Sequence, residues 1–233
     1  MPKYFLFEKS GVVTTITFNR PERRNCLDNE VILELERLIY DVRDDREIRA
    51  LIVTGTGNAF SAGADLSALR GTDDPDQRAA IASQRAGRRL PRLIGRVFEA
   101  IAHLECITIA AVNGYAVGGG WSIALAFDFC LAVENAEFWV PEVDMGVAYR
   151  GAPAQLMAAS MGPWRAREAI LECRHYKAEE LLAMGVINRV VKPQALLLAT
   201  ARELAESLAK KSATAIAQSK RDINDFFFGS RLY

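Results

Sequence analysis

Apolar positions along the chain change period in a way that separates strands from helices. Residues 4–21 read YFLFEKSGVVTTITFNRP, two aromatic and β-branched runs flanking Lys9, Ser10 and Gly11, and predict a hairpin. Asn19-Arg20-Pro21 ends it, because proline donates no ladder hydrogen bond and restricts the residue before it. Over residues 29–44 the apolar positions Val31, Leu33, Leu35, Leu38, Ile39 and Val42 give a helical stripe, with Asp28 as the N-cap. ALIVT, residues 50–54, is a short buried strand. A strand reached through a helix implies a parallel crossover.

The densest pattern covers residues 107–142. ITIAAV is bounded by Asn113-Gly114 and reads as a fully buried strand; Gly118, Gly119 and Gly120 follow, then helix-forming residues 122–126, and Glu142 further on. Strand, glycine-rich loop and helix start leave backbone N–H groups free to meet a partial negative charge. GTGNAFSAGADLSAL, residues 55–69, repeats that arrangement, with a helix expected from about Asp65. Two such junctions side by side in a parallel sheet would bring two backbone donors together at the carboxyl ends of the strands. Residues 71–89 read as a polar connection. The five arginines between Arg78 and Arg92 form either an anion patch or, more commonly for such spacing, a solvated face. Helices are expected at 90–103, 151–161, 164–171, 178–184 (capped by Gly185), 194–211 and 213–224, with a strand at 186–191.

Composition narrows the function classes. At 233 residues, half of them hydrophobic, the chain can fold as one large domain or two small ones. Lys plus Arg equals Asp plus Glu at 29 each, so charge gives no case for a nucleic-acid or acidic-membrane partner. No run approaches the roughly 18 apolar residues of a membrane span, and the first apolar patch is too short for a signal segment; a cytoplasmic protein is expected. Cys26, Cys106, Cys130 and Cys173 form no CxxC pair, which predicts buried thiols rather than a metal site or disulfides.

NRPERRNCLD, AFSAGADL, IAAVNGYAVGGG, AEFWVPEVDMG and AEELLAMGVINRVV, in that order, resemble the crotonase superfamily, also called the enoyl-CoA hydratase/isomerase family, over about residues 16–224. The resemblance implies an α/β fold, a crotonase-like spiral of ββα units with a C-terminal helical trimerisation region. Residues 1–190 would form the spiral core, holding CoA and the active site, and 191–233 a shortened helical region of the same structural unit. It also implies a homotrimer or hexamer and an acyl-CoA substrate, with coenzyme A arriving as part of that substrate and no separate cofactor or metal. By the same resemblance, the backbone N–H groups of Ala64 and Gly119 would hold the thioester carbonyl oxygen as it becomes an enolate. Arg24 matches a position where some members pair a basic residue with CoA phosphates, ahead of the adjacent Arg23, which can simply be solvated. Cys26, Ala62, Asp65 and Leu66 fall where backbone groups contact adenine and pantetheine, and Gly118 is placed among the substrate contacts.

Hydratases that this chain resembles use two glutamates. The first position is Ser122 here and the second is Glu142. A serine hydroxyl with no visible base does not replace a carboxylate as proton acceptor at neutral pH. Members that move a double bond from the 3 to the 2 position keep only the Glu142 equivalent, so isomerisation is expected ahead of hydration. Decarboxylation, C–C cleavage and non-catalytic acyl-CoA binding stand further off. Phe138, Trp139, Val140, Pro141 and Val143 should raise the pKa of Glu142, and Asp144 is expected to be structural or solvent-facing. Ala148-Tyr149-Arg150-Gly151 departs from the proline and glycines most members carry. Arg150 stands where dienoyl-CoA isomerases have an aspartate; it can pair with Glu142, bind a substrate carboxylate, or turn to solvent. His103 and His175 match no catalytic position. The chain ends at Tyr233 after FFFGSRLY, where members usually continue. Either the lid over the site is built differently, or Phe226, Phe227 and Phe228 dock on a neighbour.

Overall fold

A computed structural model describes residues 2–65 and 89–228; Leu66 and the arginines from Arg78 to Arg88 lie outside the described residues, as do the side chains of Phe226, Phe227 and Phe228. The fold begins with the hairpin the sequence predicts: β1 (Phe5–Ser10) and β2 (Val13–Phe18) pair antiparallel, with Gly11 at φ +60° in the turn between them. Asp28 then accepts hydrogen bonds from the backbone N–H of Glu30 and Val31 and starts α1 (Asn29–Asp44). Val31, Ile32, Leu35, Leu38, Ile39 and Val42 bury one face of α1, while Leu33, counted in the stripe from the sequence, is exposed on the other. The helix returns the chain to β3 (Ala50–Gly55), parallel to β2 as the crossover required.

After β3 the structure departs from the expected loop. A turn leads into a second, three-residue strand, β4 (Ala59–Ser61). The same happens after β5 (Ile107–Val112), where β6 (Tyr115–Val117) precedes α3 (Gly119–Leu125), and again from β7 (Phe129–Val133) to β8 (Glu137–Trp139). Alternation cannot register in three residues, so the first two junctions each read in sequence as one glycine-containing loop. The strand β7 was hidden for another reason: its apolar residues run almost directly on from those of α3. Between β4 and β5 lies α2 (Arg89–Ala102), whose Arg96 pairs with the buried Glu36 of α1 at 2.7 Å.

The chain continues through α4 (Ala152–Met161), α5 (Pro163–Leu171), β9 (Tyr176–Lys177), α6 (Ala178–Ala183), β10 (Arg189–Val191), α7 (Leu197–Ala209) and α8 (Ala213–Phe228). The strand expected at 186–191 is shorter, and the helix expected from 194 opens with a separate 3-10 turn at Gln194–Leu196. Among the described residues the strands form two sheets, β1-β2-β3-β5-β7-β10 and β4-β6-β8-β9. From β2 to β10 the first sheet is parallel. Its centre is apolar on both faces, as parallel strands under helices must be: Ile107 through Val112 are all buried, and Leu197, Ala201 and Ala205 of α7 join the same core. Lys220 fastens α8 to this core, donating to the Cys106 carbonyl at 2.5 Å and pairing with Asp128 at 2.7 Å. All four cysteines are free and three of them are buried. No helix of the described residues is long and apolar enough to cross a membrane, and no group of three metal-binding side chains occurs among them.

Candidate active site

The parallel pairing of β6 with β8 determines where the first functional groups meet. Val117 stands opposite Trp139, and one residue on, the Gly118 N–H donates to the Trp139 carbonyl at 2.9 Å. Gly118 has φ +48°, and a Cβ there would lie 2.4 Å from Oε1 of Glu142. Only glycine lets the carboxylate rest on this backbone. Glu142 sits three residues past β8 in a tight turn, its carbonyl accepting the N–H of Val147 at 2.7 Å. Its Oε2 is buried with no hydrogen-bond partner, and Phe138 and Val140 beside it are wholly enclosed. Burial disfavours the charged form, so the pKa is pushed up to about 7, with its own backbone N–H offsetting only part of the effect.

The second junction touches the first at Gly63, which has φ +76°; a Cβ there would lie 2.4 Å from the Val117 carbonyl and 3.4 Å from the Gly119 nitrogen. Leu27 brackets the neighbouring residue, donating to the Gly63 carbonyl at 2.7 Å and accepting from Asp65 at 2.8 Å. In this bridge Ala64 is skipped. Its N–H donates to no acceptor among the described residues, and neither does that of Gly119, the first residue of α3. Two adjoining junctions thus each leave a backbone donor without a partner among the described residues.

Ser122 is buried one helical turn beyond Gly118. Both its N–H and its hydroxyl donate to the Gly118 carbonyl, at 2.9 and 3.0 Å, and its Oγ lies 2.7 Å from the Tyr149 hydroxyl. Either hydroxyl can donate in that last bond; with the serine proton on the Gly118 carbonyl, the donor is Tyr149. Burial, reinforced by the nearby charge of Glu142, holds the Tyr149 phenol above its usual range. Tyr149 entered the sequence reading only as a departure from the family loop. The available signal was a hydroxyl seven residues after the carboxylate, following Val147 and Ala148.

Arg150 faces solvent, with no ion pair among the described residues, so of its three options the pairing with Glu142 does not occur. Arg24 is exposed, at φ 50°, with its guanidinium 6.0 Å over the Tyr115 ring. Arg23 is not simply solvated: it pairs with Asp65 at 2.8 Å. The N–H groups of Cys26, Ala62 and Asp65 bond to the carbonyls of Arg23, Arg24 and Leu27, which leaves their own carbonyls as the backbone groups these residues can offer a ligand. Asp144 is exposed. His103 is exposed against the Glu99 carbonyl, and His175 stacks on Trp139 at 4.3 Å between ring centres.

Residues 8–227 match the family model described as enoyl-CoA hydratase/isomerase. The chain is 34% identical to the short-chain-enoyl-CoA hydratase of Clostridium acetobutylicum, over 94% of this chain and 80% of that one. It is 36% identical to the carnitinyl-CoA dehydratase of Citrobacter koseri, over 92% and 77%. Among solved structures, a monofunctional enoyl CoA isomerase from M. smegmatis superposes with a TM-score of 0.80 at 30% identity, covering 99% of this chain and 96% of that one.

Proposed function

The chain belongs to the enoyl-CoA hydratase/isomerase family, and we propose that its own reaction is the migration of a double bond in a 3-enoyl-CoA thioester to the 2 position. The observation that carries this reading is the state of Glu142: a buried carboxylate with an unpartnered oxygen and a pKa near 7, beside a serine whose proton is already engaged. Such a group takes up and releases a proton near neutrality, as a carbon-to-carbon shuttle must.

The thioester carbonyl oxygen accepts hydrogen bonds from Ala64 and Gly119. Glu142 removes a proton from C2; the C–H electron pair enters the dienolate, and the negative charge collects on the oxygen facing the two donors. The same carboxyl group then returns the proton to C4, leaving the double bond between C2 and C3. One such donor lowers the barrier by about 3 kcal/mol. Exposed Arg24 is assigned to the CoA phosphates; the backbone of Cys26, Ala62, Asp65 and Leu66 to the adenine and pantetheine arm; Gly118 to the acyl side, with Arg150 left to solvent.

Hydration of 2-enoyl-CoA is the second reading, favoured by the 34% identity to a short-chain-enoyl-CoA hydratase. Supplying the purified protein with 3-enoyl-CoA and, separately, 2-enoyl-CoA tells them apart. The isomerase conjugates the first, seen as a rise in ultraviolet absorbance. Loss of conjugation from the second, with 3-enoyl-CoA untouched, overturns the proposal in favour of hydration. We also propose that the chain assembles as a homotrimer or hexamer.

A further inference from the structure

Two hydroxyl groups are tied to the same Gly118 backbone that the Glu142 carboxylate rests on, and neither hydrogen-bonds to that carboxylate. Ser122 gives its proton to the Gly118 carbonyl, and Tyr149 gives its own to Ser122 across 2.7 Å. Gly118 links the two halves of the arrangement: its carbonyl holds Ser122, while its α-carbon carries the Glu142 carboxylate, whose oxygens would lie 2.4 and 3.2 Å from a Cβ. A water adding to a substrate here must lose a proton to Glu142 and be steered by a second polar group. The hydroxyl on the other side of Gly118 is Ser122, which Tyr149 already caps. Tyr149 is held there by packing against the core.

We propose that Tyr149 is a specificity-determining residue: its hydroxyl, bonded to Ser122, takes the place a nucleophilic water would need beside Glu142 and so commits Glu142 to moving protons between carbons. This rests on the isomerase reading above. With the water position filled, the proton taken from C2 can only return to carbon. With it open, water oxygen bonds to C3 of a 2-enoyl thioester as one water proton passes to Glu142, the C2–C3 π electrons enter the enolate, and Glu142 hands that proton to C2, giving the 3-hydroxyacyl thioester.

Tyr149→Phe keeps the ring and removes the oxygen, leaving a gap of about one water molecule next to Ser122; Tyr149→Ala opens the site further. The full chain and both variants are given 3-enoyl-CoA and 2-enoyl-CoA, and isomerised and hydrated products are separated by chromatography. The ratio of hydration to isomerisation is expected to rise about tenfold or more in Tyr149→Ala and less in Tyr149→Phe, with the Michaelis constant for 3-enoyl-CoA changed only a few-fold. A purely structural role would lower both activities together. An unchanged or falling ratio in variants that still isomerise overturns the assignment of Tyr149 and leaves the isomerase reading standing. A wild-type protein that only hydrates sinks that reading and this proposal with it. Should Tyr149→Ala fail to fold, crystals of wild type and Tyr149→Phe with a saturated acyl-CoA decide: a water between Ser122 and Glu142 in the variant alone supports the proposal, and one in the wild type refutes it.

Discussion

Glu142 combines two demands that pull against each other, since a base must be charged to accept a proton and burial resists that charge. The compromise is a pKa near 7, set by desolvation. Isomerisation of 3-enoyl-CoA should therefore lose about tenfold in kcat/KM per pH unit below about 7, because the free enzyme's base is then protonated, and level off above it. Steady-state rates from pH 5 to 9 check this, and a limb near the ordinary 4.5 would mean that the carboxylate is solvated. Glu142→Gln should cost about 10^3-fold in rate. Gly118→Ala tests the seat under the base. Its Cβ would strike Oε1 and its φ of +48° strains any L side chain, so the carboxylate must move. A displacement of about 1 Å costs on the order of a hundredfold, whereas stability should fall by only about 1–2 kcal/mol, as comparison of kcat with denaturant unfolding would reveal. Glu142 and the serine at 122 were legible in the sequence through the motifs of the family resemblance. The role of Gly118 as the floor beneath the carboxylate was not, because it depends on β6 pairing with β8.

At the scale of elements, the turns that lead into β4 and β6 are held together by buried asparagines that a one-dimensional reading sees only as turn residues. Asn113 accepts from the Gly55 N–H at 3.1 Å and donates to the Gly57 carbonyl at 3.0 Å, joining the turn after β5 to the turn after β3. Asn25 donates to the Thr56 and Ala59 carbonyls from the other side. Asn113-Gly114 could be read as a turn, but its partners lie more than fifty residues away, and nothing in local pattern points to them. The short strands β4 and β6 escaped for a related reason: they exist because the second sheet pairs them, not because their own residues alternate. The family resemblance implied the paired-strand units that periodicity missed. Asn113→Ala should cost about 2–3 kcal/mol, since it strands a backbone N–H and a carbonyl in a part-buried turn. Activity should fall further than stability alone explains, through loosening of the Ala64 loop. Measuring kcat at a temperature well below the melting point of the variant separates the two; full activity there would show that the asparagine serves folding only.

Two consequences belong to the molecule as a whole. Trp164 and Leu171 on α5 are 79% and 61% exposed, an apolar surface that subunit contact would cover. In light scattering, the proposed assembly predicts three or six times the chain mass, and a monomer at micromolar concentration would refute it. The second consequence is global stability, which the active-site carboxylate should lower. Glu142 has a folded pKa of about 7 against 4.5 for an ordinary glutamate, so the folded protein holds this proton more tightly than the unfolded chain does. Below about pH 4.5 both states are protonated and burial carries no charge penalty. Between about 4.5 and 7 the unfolded chain ionises first, and stability falls as pH rises, by up to about 1.4 kcal/mol per unit. Above 7 both are ionised and the loss is complete, about 2–3 kcal/mol once residual solvent contact is allowed for. Carboxylates such as Asp28, whose pKa is lowered despite its burial by bonds to Val31 and Arg20, act in the opposite sense and would mask this in the wild type alone. Glu142→Gln keeps them all and removes the one slope. The stability of Glu142→Gln minus that of the wild type, from urea unfolding at pH 5 and pH 8, should therefore grow by about 2 kcal/mol across the interval, the rest of the loss lying below pH 5. A difference that stays flat would mean that folding does not desolvate Glu142, and the case for a single neutral-pH proton shuttle would lose its physical basis.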